Sequence, residues 1–243
     1  MPRARGPAVR VGVAGGVARI TLPADGGIFA APDALVDAWE ALGDDARIRV
    51  LVLDGAVGAF AAPRSDAPTS PAVQAVATTG LPVLACLDGD VSGLGLALAL
   101  ACDLRLATPP TRLGLAEIAG GRLPGGGVTQ RLPRLVGPAR ALEMILLGRS
   151  LPARTALAWG LVHRVVPRVR LRAAATALAR ELAARGPLAM RYGKEAVLRA
   201  LDLPLADGIA LEHDLYVLLQ TTADRREGVR AFLARRPPRF RGR

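Results

Sequence analysis

Gly93, Leu94 and Gly95 stand where a polar turn, Asp88 to Gly93, gives way to an apolar run from Leu94 to Cys102. A helix apolar all round must lie inside the protein, and its first turn carries amide N–H groups with no intrahelical partner. Such amides can hold developing negative charge, and glycines at 93 and 95 leave room for a carbonyl oxygen to reach them. Glycine at a helix start also serves plain close packing, so the motif alone leaves both readings open. Glu117 stands between Ala116 and Ile118; taken by itself it reads as a cap on a backbone loop. Asp88 and Asp90 could supply an acid, although turn aspartates commonly bond their own backbone. His163, in a strand, and His213, in a helix, have no carboxylate or serine at a readable spacing and read as structural. Cys86 and Cys102 lack metal-type spacing and read as core thiols of a reducing compartment, with no metal site expected.

These residues need a layered scaffold to position them. Val9 to Val13 and Val17 to Leu22 alternate around Gly15-Gly16 and predict a hairpin. A helix is expected from Asp33 to Gly43, a strand over Arg49 to Leu53, and a short helix near Val73 to Thr78. Pro82 to Leu87 reads as the strand that feeds the buried helix, with further strands at Asp103 to Ala107 and Arg112 to Leu115. Leu123 to Gly127 caps a helix, VTQRLPRLVG, that Gln130 and Arg131 help to fix; helices Pro138 to Leu147 and Pro152 to Trp159 and a strand at Leu161 to Val166 follow. On the first of these, Arg140 and Glu143 are spaced for a surface ion pair. From Leu171 to Arg235 the pattern is helical, with too many apolar positions to stand free of a partner. The alternation of strand and helix specifies an α/β class.

Composition bounds the function. The 243 residues, 51% hydrophobic, suffice for one full core. The formal charge of +11 comes almost wholly from arginine, with Lys194 the only lysine and no asparagine. The arginines are scattered and aromatics make up 3%, so stacking platforms for nucleic acid are missing and no nucleic-acid role is expected. An acidic or phosphate-bearing small ligand fits the charge. The first ten residues lack an apolar core segment and no run is long enough to span a bilayer, which predicts a cytoplasmic protein with no membrane association.

Taken together, PVLACLDGDVSGLGLALALACDLRLA, LGLAEIAGGRLPGGGVTQRLPRLVGPARALEMILLGR, ALAWGLVHRVVP and EGVRAFLARRPPRF closely resemble the enoyl-CoA hydratase/isomerase (crotonase) family. The resemblance runs from about Val50 to Phe240. It implies a spiral of ββα units over residues 1–184 and a C-terminal helical oligomerisation region over 185–243, assembled as a homotrimer or a dimer of trimers. It implies an acyl-CoA or acyl-carrier thioester as substrate, with coenzyme A as part of that substrate and no separate cofactor. By the resemblance Glu117 is the catalytic acid/base, the amides of Arg64 and Leu94 form the oxyanion hole, and Ala62, Asp90, Gly93 and Leu115 line the substrate site. Three departures stand out. The family's second glutamate would fall on Ala97; Pro63-Arg64 replaces its usual Gly-Ala pair; and Pro23 to Phe29 lacks its basic, Asn-Ala-Leu nucleotide segment. One remaining carboxylate favours double-bond isomerisation over hydration, because moving a proton from C2 to C4 needs a single carrier. The lost nucleotide segment leaves open a carrier-protein thioester, and Ala97 together with the altered Arg64 loop leaves open a noncatalytic or scaffolding subunit of the same fold.

Overall fold

The computed structural model describes residues 9–23, 33–55, 60 and 69–243. β1 (Arg10–Ala14) and β2 (Val17–Thr21) form the expected hairpin. Its two-residue turn needs positive φ at both positions, and glycine supplies it at Gly15 and Gly16. Helix α1 (Asp33–Gly43) buries Leu35, Trp39 and Leu42 at its three- and four-residue spacings. β3 (Val50–Asp54), α2 (Pro71–Thr78), β4 (Val83–Leu87) and α3 (Leu94–Ala101) follow the predicted order. Between β4 and α3 lies an extra strand, β5 (Asp90–Ser92), too short to show as an alternating run.

Beyond α3 come β6 (Leu104–Ala107), β7 (Arg112–Gly114), α4 (Val128–Val136), α5 (Pro138–Leu146), β8 (Ser150–Pro152), α6 (Ala153–Ala158) and β9 (Arg164–Val165). β9 is far shorter than the apolar run around it suggests, because Leu161 and Val162 are held by Ala156 O in the turn after α6. The main sheet runs β1-β2-β3-β4-β6-β9, parallel from β2 onward, and β5-β7-β8 form a second, smaller sheet. Each pass through β4-β5-α3 and β6-β7-α4 therefore places one strand in each sheet before its helix, the ββα turn of a spiral.

The main sheet is buried on both faces. Ala18, Ile20, Leu51, Leu53, Ala85 and Leu87 join α1, α2 and α3 in the larger core. Val50, Val52, Leu84 and Leu106 meet α7 (Arg168–Ala183) on the other face. Ala175, Ala179 and Ala183 recur every four residues there, and their small side chains let α7 lie close on the strands. Three further helices complete the chain: α8 (Pro187–Arg199), α9 (Leu205–Gln220) and α10 (Ala223–Leu233). α9 buries Leu215 alone among its sixteen residues, while Leu205, Ile209 and Tyr216 are exposed. Lys194, the single lysine, ties α8 to the sheet through Asp103 Oδ2 and Leu81 O, both at 2.8 Å. Among the described residues no helix is long and apolar enough to cross a membrane.

Candidate active site at the mouth of a buried helix

Every residue of α3 from Leu94 to Leu100 is buried, as an all-apolar helix requires. Gly93 caps it with φ 54° and ψ −129°, a backbone conformation that a side chain would strain, and offers no side-chain bond to the first turn. The first helical bond runs from Ala97 N–H to Gly93 O at 3.0 Å, so the amides of Leu94, Gly95 and Leu96 have no intrahelical acceptor. The far end of α3 is clamped by Arg105, which is 2% exposed. Its guanidinium donates to Ala99 O (3.2 Å), Cys102 O (2.5 Å) and Leu161 O (2.6 Å). A buried cation at the helix C-terminus complements the dipole there. Burial pulls the pKa of Arg105 below its usual value, and burial likewise pushes the neighbouring Cys102 thiol up to about 12.

Glu117 arrives at the opposite end of α3. Leu113 and Leu115 are buried ahead of it, and a 3₁₀ turn over Ile118–Gly120 follows. That turn is closed by the Glu117 carbonyl, which accepts from Gly120 N–H at 3.0 Å and Arg122 N–H at 2.9 Å. Its side chain makes no capping bond, so the loop-cap role that the residue suggests in isolation is carried by its backbone. The carboxylate reaches the helix mouth: a Cβ built on Gly93 would stand 3.1 Å from Glu117 Oε1. Oε2 is buried and has no hydrogen-bond partner among the described residues. An unpaired buried carboxylate oxygen is costly in an apolar setting, so the Glu117 oxygen stands open to a hydrogen-bonding group that enters the helix mouth.

Gly93, Leu94 and Glu117 are thus brought together, with Leu115 buried just before the acid. Asp90 stands exposed at the start of β5, in register with Arg112. Arg64 and Ala62 lie outside the described residues. Asp88 is buried, and among the described residues it accepts from Thr108 Oγ1 at 2.6 Å and Arg168 Nε at 2.9 Å. His163 accepts from Arg105 N–H through Nδ1, just ahead of β9, and burial followed by the Arg105 charge lowers its pKa. Glu143 pairs with Arg149 (3.6 Å) instead of Arg140, whose guanidinium sits 5.3 Å from the centre of the Trp159 ring. Cys86 and Cys102 are free and buried.

Two residues shape the site without an obvious sign of it in the sequence. Gly126, with φ 64°, lays its backbone against Ala97 and Leu94; a Cβ there would fall 2.6 Å from Ala97 Cβ. Arg131 fastens that loop by donating to Gly126 O at 2.7 Å. The triple glycine Gly125–Gly127 marks a turn, but which helix it touches depends on how α4 packs. Arg105, set in an apolar strand, carries the same hidden information: its partners are carbonyls brought in from 99, 102 and 161.

Residues 29–243 match the family model described as enoyl-CoA hydratase/isomerase. The chain is 40% identical over 228 residues to the mitochondrial enoyl-CoA hydratase domain-containing protein 2 of Mus musculus, covering 86% of this chain and 77% of that protein. It is 37% identical over 223 residues to (E)-benzylidenesuccinyl-CoA hydratase of Thauera aromatica, covering 86% and 87% of the two chains. The crystal structure of an enoyl-CoA hydratase from Bacillus anthracis superposes with a TM-score of 0.87 at 30% identity, over 98% of this chain and all (100%) of that one. With its spiral of two sheets and its C-terminal helices, the chain belongs to the enoyl-CoA hydratase/isomerase, or crotonase, family.

Proposed function

We propose that the protein moves a double bond in an unsaturated acyl thioester, with Glu117 as its single proton carrier and the Leu94 amide as one of two oxyanion donors. The observation that carries this reading is the Glu117 carboxylate at the mouth of α3, one oxygen buried and without a partner among the described residues, beside a first turn of amides with no intrahelical acceptor. With the thioester oxygen on the Leu94 N–H, Glu117 takes a proton from C2 and the electron pair is delocalised onto that oxygen as a dienolate. The same carboxyl returns the proton at C4, the double bond settles between C2 and C3, and no atom is gained or lost. The Arg64 amide is the second donor that the family resemblance supplies.

Ala97 separates this reaction from hydration. Adding water calls for a second carboxylate to deprotonate it, and the 97 position holds a fully buried methyl group facing Gly126. Relatives named as hydratases argue the other way, so the two activities are tested side by side. In deuterated water the protein is expected to exchange the α proton of an acyl-CoA and to interconvert β,γ- and α,β-unsaturated acyl-CoA, with hydration much slower. Glu117→Gln should remove exchange and isomerisation together; exchange that survives the substitution would move the base elsewhere. A second reading, a noncatalytic subunit of this fold, draws on Ala97 and the altered sequence around Arg64 and is selected if no acyl-CoA or carrier-bound acyl group exchanges. The exposed apolar residues of α9 and α10, Leu205, Ile209, Phe232 and Leu233, support assembly with further copies as a trimer or a dimer of trimers.

A further inference from the structure

A cleft of about 480 Å³ opens on the α7 side of the main sheet. Arg19 and Thr21 of β2, Asp54 of β3 and Cys86 of β4 form its floor, on the strand face that carries Val50, Val52 and Leu84 beneath α7. Leu94, Leu115 and the rest of the helix-mouth core belong to the opposite face. The sheet therefore stands between this cleft and the candidate active site.

Four arginines meet two carboxylates here: Arg10, Arg19, Arg168 and Arg172 against Asp54 and Asp88. Arg19 is held on Asp54 and, at 3.1 Å, on Thr176 Oγ1, and its side chain is 14% exposed. Arg168 is spent on Asp88 at 2.9 Å. Arg10 and Arg172 have no acidic partner among the described residues, so the cleft keeps two positive charges in excess. Helix α7 starts at its wall. The first turn has no acid and no side-chain cap, and Arg172 adds positive charge near the end where the helix dipole is already positive. An anion seated there meets both the helix dipole and the unpaired guanidinium charge favourably. The Cys86 thiol, whose pKa burial pushes well up, adds no negative charge to offset it.

We propose that this cleft binds a phosphate-class dianion, held by the Arg10 and Arg172 guanidinium groups above the Arg19–Asp54 pair. Guanidinium forks match the oxygen spacing of a phosphate, and the hydroxyl of Thr21 offers a further donor. The phosphate can come as a free inorganic anion or as part of a nucleotide. The proposal does not depend on the reaction assigned to Glu117.

Calorimetric titration of the full chain with inorganic diphosphate, and separately with adenosine 3′,5′-bisphosphate, tests it. One diphosphate should bind per chain, weakening at least about tenfold in Arg10→Ala/Arg172→Ala, since a charge-assisted contact is lost at each residue. Both residues are exposed, so the double variant should melt at the wild-type temperature, and Arg172→Gln alone should show a smaller loss. If the bisphosphate also weakens in the double variant, the cleft takes nucleotide phosphates; if diphosphate alone does, it takes the free anion. No saturable diphosphate binding at millimolar concentration overturns the proposal. So does binding that the double variant leaves unchanged, which places the anion elsewhere.

Discussion

Glu117 and Ala97 occupy the same end of the buried helix and differ in what they can do. Glu117 brings a carboxylate oxygen that has no partner among the described residues; Ala97 brings a methyl group that the Gly126 backbone presses against. The consequence of that contact is measurable. Gly126→Ala would place a Cβ 2.6 Å from Ala97 Cβ and hold alanine at positive φ. The expected loss is roughly 2–4 kcal/mol in urea unfolding, with a matched Gly43→Ala change, where nothing lies within 4 Å, showing none of that clash. His163 supports a pH prediction. Its pKa is lowered in the folded protein by burial and then by Arg105, so the unfolded chain, with the ordinary value of 6.5, takes up the proton first as pH falls. Stability from this residue is complete above pH 6.5 and is lost as pH drops below it. His163→Gln should flatten the wild-type decline in unfolding free energy between neutral and mildly acidic pH.

At the scale of elements, α3 is held from its two ends by different means. Its N-terminus is left open by Gly93, while its C-terminus is closed by the Arg105 guanidinium on two helix carbonyls and on Leu161 O. Among the described residues no carboxylate is hydrogen-bonded to that guanidinium, so the charge rests on carbonyl dipoles. Arg105→Met should cost about 2–4 kcal/mol, because buried carbonyls lose their donor at roughly 1–3 kcal/mol each while the expense of burying a charge is relieved. Arg105→Lys should recover only part of this, because one ammonium cannot span three carbonyls in the guanidinium geometry. Chemical denaturation of both variants checks the order wild type, Lys, Met. The helix itself was legible from LGLALALA, and so was the Gly turn before it. β5, β8 and the brevity of β9 were not, since strands of two or three residues exist only through the ladder they join.

For the whole molecule, the sheet is covered on both faces but the last three helices are not. Leu205 (80% exposed), Ile209 (59%) and Phe232 (82%) leave apolar surface on α9 and α10 that a partner would cover. Light scattering on the eluting protein should give three or six times the 25.2 kDa of one chain. Ile209→Glu should shift it to smaller species while the circular dichroism of the core stays unchanged. A single-chain mass for the wild type would count against assembly through this face.

Local pattern determined most of the secondary structure: alternation around Gly15-Gly16, three- and four-residue spacing in α1, and unbroken apolarity in α3. These are effects of neighbours along the chain, so the amino-acid order carries them. Glu117 could be singled out only through family resemblance, because taken alone a glutamate between alanine and isoleucine reads as a loop cap. Tertiary structure decided that its carbonyl does the capping and its carboxylate faces Gly93, that Gly126 walls in Ala97, and that Asp88 answers Arg168 from 80 residues away. Such contacts depend on which helices and strands pack together, and packing is settled by the shared burial of distant segments rather than by any one of them.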